Sequence, residues 1–213
     1  MTYRIFVMAK APVPGTVKTR LMLPPRTAAG LQAALIADTV EKAGSLAPTT
    51  VAGDPPERLD LLRALLPDGV GLIPQPSGDL GDRMLAGIRT LFALSTAPIL
   101  VLGTDAPTLS AETIEGAACT LRSYDVSIIP STDGGYVLLG LRRPEEAVFR
   151  GVEWSTGAVF RQTLRRAEEA GLSVHGGEPW YDVDEPGDLA RLMEELRAHP
   201  ERAPRTAGFL GRL

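Results

Sequence analysis

The sequence predicts an α/β fold, organised as a single domain around a mixed but mostly parallel β-sheet. Short apolar runs alternate with helical patterns through most of the 213 residues, which is typical of the βαβ units that build a parallel sheet. Late in the chain, two strand-like runs are separated only by Ser-Thr-Asp-Gly-Gly at residues 131–135. That spacing leaves no room for a helix and therefore favours an antiparallel addition.

The elements follow from the period of the apolar residues. Runs with the length of buried strands occur at residues 5–8, 50–52, 71–73, 99–102, 126–129 and 136–139. Helical spacing occurs at residues 27–43, 57–66, 82–94, 110–121, 156–170 and 186–198. The first helix has the clearest face, carried by Leu31, Leu35 and Thr39. Pro186 stands in the first turn of the last helix, where proline is tolerated.

Composition limits the function classes. We expect residues 1–200 to form the domain and the basic segment 201–213 to be a loosely packed C-terminal tail. A net charge of −4 argues against general nucleic-acid binding. Neither a membrane span nor a signal peptide is predicted, so the expected location is cytoplasmic, with no membrane partner. The single cysteine, Cys119, excludes an intramolecular disulfide and is expected to be a small core residue.

The most informative segment follows the first predicted strand and reads Lys10-Ala-Pro-Val-Pro-Gly-Thr-Val-Lys-Thr-Arg20. Pro12 and Pro14 lack N–H donors, so they prevent regular structure. Open α/β sheets bind ligands just beyond the carboxyl ends of their strands. The loop therefore predicts contact with the phosphates of a nucleotide or other polyphosphate, and the candidates are Lys10, Gly15, Lys18, Thr19 and Arg20. The Walker and dinucleotide glycine motifs are both absent, and a solvent-exposed basic turn is the alternative.

Carboxylates at two later positions are candidates for a divalent-metal site. Asp105 directly follows the predicted strand 99–102, and Asp182 and Asp184 lie shortly before the last predicted helix. Mg²⁺ usually takes one or two carboxylates and completes its shell with water and substrate phosphate. Asp182 and Asp184 would lie on the same side of an extended segment. The alternative for Asp105 is a turn in which its side chain bonds its own backbone.

Two glycine-containing regions complete the candidates. The loop after residues 71–73 could clasp a base or ribose, and its candidates are Gln75, Gly78, Asp79, Leu80, Gly81 and Arg83. An ordinary turn between strand and helix is the alternative. The segments around residues 131–136 and 154–157 could face an acceptor, and their candidates are Asp133, Gly134, Gly135, Tyr136, Trp154, Ser155 and Thr156. For residues 131–136 the alternative is a plain hairpin turn.

In this order, the motifs resemble the nucleotide-diphospho-sugar transferase (GT-A) superfamily. The resemblance covers nearly the whole chain and is carried by residues 10–21, 103–109, 133–140, 154–156 and 182–189. Within the superfamily, the chain looks like a bacterial glycosyltransferase-like family of the arsenosugar-biosynthesis type. It is also similar to 2-phospholactate guanylyltransferase and to the molybdenum-cofactor nucleotidyltransferases. The resemblance implies a Rossmann-like three-layer sandwich, with Mg²⁺, or Mn²⁺ as an alternative, on Asp105 and on Asp182 or Asp184.

The resemblance further implies a metal-dependent transferase that acts on a nucleotide donor and a small-molecule acceptor. Sugar transferases of this fold usually present Asp-x-Asp at the central strand end, whereas this chain has Gly103-Thr104-Asp105. One aspartate beside a cationic loop favours nucleotidyl transfer from an NTP to an anionic acceptor, with Lys18, Arg20 and Asp105 as catalytic residues. Glycosyl transfer from a nucleotide-sugar and a non-catalytic nucleotide-binding module are the alternatives. The base, the acceptor and the oligomeric state stay open.

Overall fold

One mixed β-sheet organises the computed structural model, which describes residues 2–213. Its strands are β1 (Arg4–Lys10), β2 (Thr49–Asp54), β3 (Gly71–Pro74), β4 (Ile99–Leu102), β5 (Val126–Pro130), β6 (Tyr136–Leu141) and β7 (Val174–Gly176). They lie in the order β3-β2-β1-β4-β6-β5-β7. β6 is antiparallel to both of its neighbours, and the other adjacent pairs are parallel. The predicted mixed, mostly parallel sheet is therefore confirmed.

Helices cover both faces of the sheet. They are α1 (Pro25–Leu46), α2 (Leu59–Arg63), α3 (Leu80–Leu94), α4 (Ala111–Thr120), α5 (Val159–Glu169), α6 (Pro186–Ala198) and α7 (Pro204–Leu210). α1, α2 and α4 contribute to the core on one face, whereas α3 and α5 contribute to the core on the other. The result is the three-layer sandwich that the resemblance implied.

The alternation of side chains along β1 explains the two cores. Ile5 and Val7 face the core that α1 covers, and Phe6 between them faces the opposite core, because successive side chains of a strand point to opposite faces. All three are fully buried. Gly87 of α3 lies directly against the Phe6 ring, where a Cβ atom would collide with it. A residue without a side chain therefore lets α3 approach the sheet closely.

Three local expectations are corrected. The helix predicted at residues 57–66 is shorter, because a 3-10 turn at Pro56–Arg58 precedes α2. The helix predicted to begin at residue 156 begins at Val159, because Ser155 has a φ of 63° and the Thr156 Oγ1 accepts a bond from the Ala158 N–H instead. β7 was not predicted, and it has only three residues, which is too short to show a period.

The C-terminal tail packs firmly, contrary to expectation. α7 lies against α1, where the buried Asp38 carboxylate accepts bonds from the backbone N–H groups of Arg205 and Thr206 at 3.0 and 2.8 Å. The Thr206 hydroxyl donates to the same carboxylate at 2.6 Å. Leu210 is buried in a third apolar cluster with α1 and α6. The composition of the segment did not reveal this packing, because its partner carboxylate lies more than 160 residues earlier.

Cys119 lies on the exposed side of α4, so the expectation of a core position is wrong. The inward-facing positions of that helix are taken by Ile114, Ala117 and Ala118. Across residues 2–213, the helices are too short or too polar to span a bilayer.

Candidate active site

The candidate site lies where the order of the strands reverses. β2 and β3 lie to one side of β1, whereas the strands that follow β4 in sequence lie to the other side. The connections after β1 and β4 therefore diverge, and open α/β sheets bind ligands in the crevice that such a switch point leaves. A cavity of about 780 Å³ occupies this position at the carboxyl ends of the strands. Side chains from all of the predicted motifs line it.

Lys18 is the buried cation of the predicted phosphate loop. Its side chain is only 3% exposed, and its Nζ lies 2.5 Å from Asp105 Oδ1 and 3.7 Å from Asp184 Oδ1. The same Nζ donates to the Val183 carbonyl oxygen at 2.6 Å. Arg20 is exposed, and its Nη1 lies 3.1 Å from Asp184 Oδ2. The first loop and the late acidic segment, which are far apart in sequence, therefore meet through ion pairs.

The rest of the loop is held by its own contacts. The Lys10 ammonium donates to the Thr16 carbonyl oxygen at 2.9 Å and closes the loop on itself. Gly15 has a φ of 84°, a conformation that glycine adopts at little cost. Lys10, Thr19 and Arg20 line the cavity together with Lys18, whereas Gly15 makes the turn behind them.

The segment that carries Asp182 and Asp184 runs across the ends of the strands. The Val183 N–H donates to the Asp105 carbonyl oxygen at 2.8 Å, and the Trp180 N–H donates to the Pro130 carbonyl oxygen at 2.9 Å. Val183 is fully buried, so the aspartates on either side of it are directed away from that core. Asp105 and Asp184 are thereby brought together around the Lys18 ammonium.

Asp182 has a different environment. Its Oδ1 accepts a bond from the Ser131 hydroxyl at 2.6 Å, and its side chain does not line the cavity. Burial raises the pKa of Asp182, and the nearby charges of Asp133 and Asp105 raise it further, while the Ser131 bond opposes the change. Its place in a metal shell stays a prediction.

The carboxylates of Asp105 and Asp184 are ligands of a kind that a divalent cation prefers. In the structure, however, both of them contact the Lys18 ammonium. Asp105 Oδ1 is buried and accepts no hydrogen bond of good geometry, so its contact is the charge of Lys18. Two carboxylates are enough for Mg²⁺ when substrate phosphate supplies further oxygens. Within residues 2–213, no three acidic, histidine or cysteine side chains are already arranged as a metal site.

Several side chains of the loop predicted to hold the base make hydrogen bonds within the protein. The Gln75 amide donates to the carbonyl oxygens of Ala52 and Ala9 at 2.8 and 3.4 Å, and its Oε1 accepts a bond from Arg83. Asp79 caps α3, since its carboxylate accepts the Asp82 N–H at 2.9 Å. The residues of this loop that line the cavity are Gln75, Leu80 and Arg83. Gly78 and Gly81 contribute only backbone: Gly78 has a φ of 123°, and Gly81 lies under the Trp154 ring.

The two segments predicted to face an acceptor pack on each other. Gly134 lies against the Gly157 carbonyl, where a Cβ atom would collide. Asp133 accepts the Gly135 N–H at 2.8 Å, which fixes the turn. The members that line the cavity are Asp133, Gly135, Tyr136, Trp154, Ser155 and Thr156. Burial raises the pKa of Tyr136, so its hydroxyl stays protonated, and it donates to the Met84 sulfur at 3.9 Å.

Two polar residues that line the cavity lie outside all of the motifs predicted from the sequence. Gln32 of α1 is 3% exposed; its Nε2 donates to the Thr104 hydroxyl at 3.3 Å, and its Oε1 is buried without a partner. Its helical spacing from Leu35 and Ile36 would have placed it on the buried face of α1. Asp54 ends β2, with its Oδ2 3.6 Å from Arg83 Nη1. Its position at the carboxyl end of a strand could have indicated that it belongs to the site.

Comparisons with known proteins agree with this fold. A family model described as "Uncharacterized protein conserved in bacteria (DUF2064)" matches residues 36–156, which is more than half of the chain. The search of curated proteins gives no match. A crystal structure from Desulfovibrio desulfuricans G20, provisionally described as a nucleotide-diphospho-sugar transferase, superposes with a TM-score of 0.91 at 28% identity. This match covers 100% of the present chain and 95% of the other.

More distant structures share the fold. CMP:2-keto-3-deoxy-manno-octonic acid synthetase, complexed with CTP, gives a TM-score of 0.59 at 15% identity, over 93% of this chain and 99% of its own. Rv0371c of Mycobacterium tuberculosis H37Rv, in complex with manganese, gives a TM-score of 0.54 at 18% identity. This match covers 91% of the present chain and 99% of Rv0371c. The α/β fold of the nucleotide-diphospho-sugar transferases is therefore confirmed, and the arsenosugar-type subfamily stays a prediction.

Proposed function

The chain belongs to the DUF2064 family, and from the geometry of its cavity we propose that it is a divalent-metal-dependent transferase acting on a nucleotide donor. One observation carries the proposal. The cations of the first loop, Lys10, Lys18 and Arg20, share a crevice with Asp105 and Asp184 at the reversal of strand order. Cations for phosphate and carboxylates for a metal are what a nucleotide-handling site requires.

Nucleotidyl transfer is the leading reaction. An anionic acceptor attacks the α-phosphorus of an NTP in line, the P–O bond to the β-phosphate breaks, and pyrophosphate leaves with its electron pair. Such a reaction needs positioning and charge neutralisation more than covalent help. In this proposal Lys18 and Arg20 neutralise the leaving pyrophosphate, and Lys10 contacts the remaining phosphates.

Asp105 and Asp184 are the residues that would hold the divalent cation. Mg²⁺ or Mn²⁺ held there would supply Lewis acidity that neutralises the charge developing on the phosphates. The manganese complex of the structurally similar Rv0371c supports the choice of metal. Asp182, bonded to Ser131, orients this acidic segment and adds negative charge close to it.

The acceptor is proposed to lie between the turn at Asp133 and the loop at Ser155. Both residues line the cavity. The donor's base and ribose would then lie towards Gln75 and Arg83, where the free donors of the guanidinium can meet base or sugar oxygens. The CTP complex of a protein with the same fold supports a nucleotide in this crevice.

Glycosyl transfer from a nucleotide-sugar is the second candidate. It is favoured by the provisional description of the Desulfovibrio desulfuricans G20 protein as a nucleotide-diphospho-sugar transferase. The same residues would then neutralise a leaving nucleoside diphosphate. A non-catalytic nucleotide-binding module is a third candidate, and it would bind nucleotide without turnover.

The products separate these candidates. The purified protein is incubated with Mg²⁺, each common NTP or nucleotide-sugar, and a set of small phosphorylated and carboxylated acceptors. We expect pyrophosphate release from an NTP, detected by a coupled assay and dependent on the acceptor. Release of a nucleoside diphosphate from a nucleotide-sugar would instead establish glycosyl transfer, and binding without either product would establish the non-catalytic module.

A further inference from the structure

The Lys18 ammonium is already engaged by groups of this chain. It donates a hydrogen bond to the Val183 carbonyl oxygen at 2.6 Å, and it forms ion pairs with Asp105 Oδ1 at 2.5 Å and, at a longer distance of 3.7 Å, with Asp184 Oδ1. The side chain is 3% exposed, so water offers it little else. A phosphate that approaches this ammonium therefore has to compete with the carboxylates, Asp105 above all.

The charges around these carboxylates are already balanced. Asp105 and Asp184 carry two negative charges, and Lys18 and Arg20, which contact them, carry two positive charges. A divalent cation added to this group would meet a buried ammonium within contact distance of its ligands. The two carboxylate side chains are partly exposed, whereas the Lys18 side chain is buried, and a buried charge that loses its partner is costly. Metal and ammonium therefore compete for the same oxygens.

We propose that Lys18 and a divalent cation are alternative partners of Asp105 and Asp184, and that the phosphates of the nucleotide exchange one for the other. In the free protein, Lys18 pairs with the carboxylates and excludes the metal. When a nucleotide binds, its phosphates accept the Lys18 ammonium, and the freed carboxylate oxygens take the metal that accompanies the phosphates. This inference rests on the proposed function for the identity of the ligand, but the competition itself concerns only this chain and a cation.

Thermodynamic linkage makes the exchange reciprocal. If the nucleotide frees the carboxylates, it raises the affinity for the metal, and the metal raises the affinity for the nucleotide by the same factor. The free protein would thus avoid holding a divalent cation without substrate. Lys18 has a φ of 50°, a left-handed conformation that is unfavourable for a lysine, and its side chain is almost fully buried.

The competition is tested with Mn²⁺ alone, in the absence of any nucleotide. Binding to the full-length protein is measured from the loss of the free-Mn²⁺ signal in electron paramagnetic resonance. We expect weak binding by the wild type and at least about tenfold tighter binding by Lys18→Met, which keeps the apolar stem and removes the charge. Lys18→Gln is the second neutral variant, and circular dichroism verifies that each variant is folded. The double variant Lys18→Met/Asp105→Asn should lose the gain.

Lys10→Met is the matched control. It removes one positive charge from the same loop, but the Lys10 Nζ contacts the Thr16 carbonyl oxygen instead of a carboxylate. A gain for Lys18→Met that Lys10→Met does not share supports the exchange. Equal Mn²⁺ affinity of the folded Lys18 variants and the wild type, or an equal gain in Lys10→Met and Lys18→Met, would overturn it. A failure of the proposed function would show separately, as absent nucleotide binding and turnover alongside an unchanged Mn²⁺ result.

Discussion

At the scale of single residues, the site depends on contacts between positions that are distant in sequence. Lys18 comes from the first loop, Asp105 from the end of β4, and Asp184 from the segment before α6. The cations and carboxylates at strand ends could be recognised in the sequence, and the structure places them around one cavity. The direct pairing of Lys18 with Asp105 could not be predicted, since it joins two loops that are far apart in the sequence.

Asp105 provides the first test at this scale. Asp105→Asn keeps the size of the side chain and removes the charge that would hold the metal. We expect turnover to fall about 10²-fold or more, which corresponds to about 2.7 kcal/mol of transition-state stabilisation. The rate is measured with whichever nucleotide and acceptor give product.

Asp60→Asn is the control for that experiment. Asp60 is an exposed residue of α2 that pairs with Arg58, and it does not line the cavity. Its rate should equal that of the wild type within about twofold, because exposed ion pairs contribute little. Near-normal turnover in Asp105→Asn would refute the role of this carboxylate.

At the scale of elements, α6 connects two of the segments that carry the site aspartates. Glu195 of α6 accepts bonds from the hydroxyls of Tyr181 and Thr108, and from Arg202 at 2.8 Å. It thereby links the loop after Asp105 to the segment before Asp182. The period of α6 was predictable from its apolar residues, but this linking role was not, because a glutamate in an amphipathic helix usually faces solvent.

The contact between α7 and Asp38 predicts a loss of stability. Asp38→Ala would leave the first N–H groups of α7 and the buried Thr206 hydroxyl without their acceptor. We expect a cost of about 2–3 kcal/mol, seen as a fall in Tm of about 5–10 °C in thermal unfolding.

The matched control is Glu41→Gln, one turn further along α1. Glu41 contacts the same short helix through Arg205, but both side chains are more than half exposed. This change should cost less than about 1 kcal/mol. Equal effects of the two substitutions would contradict the stabilising role that we assign to Asp38.

At the scale of the whole molecule, the strand order explains why the motifs converge. Every motif that the sequence indicated follows a strand or precedes a helix, and all of them meet at the carboxyl ends of β1 and β4. Regular elements were predictable because their apolar periods are local. β7, the packing of α7 and the cavity position of Gln32 were not, because each depends on partners from distant parts of the chain.

The central claim, that the crevice between β1 and β4 binds a nucleotide, is tested most directly by thermal unfolding with a panel of NTPs and nucleotide-sugars, each with Mg²⁺. A ligand at about 100 times its Kd stabilises the folded state by about 2.7 kcal/mol. We therefore expect at least one nucleotide to raise Tm by about 5–10 °C, and Arg20→Gln, which removes a cation from the cavity, to reduce that rise. A panel in which no nucleotide at millimolar concentration changes Tm would contradict the account.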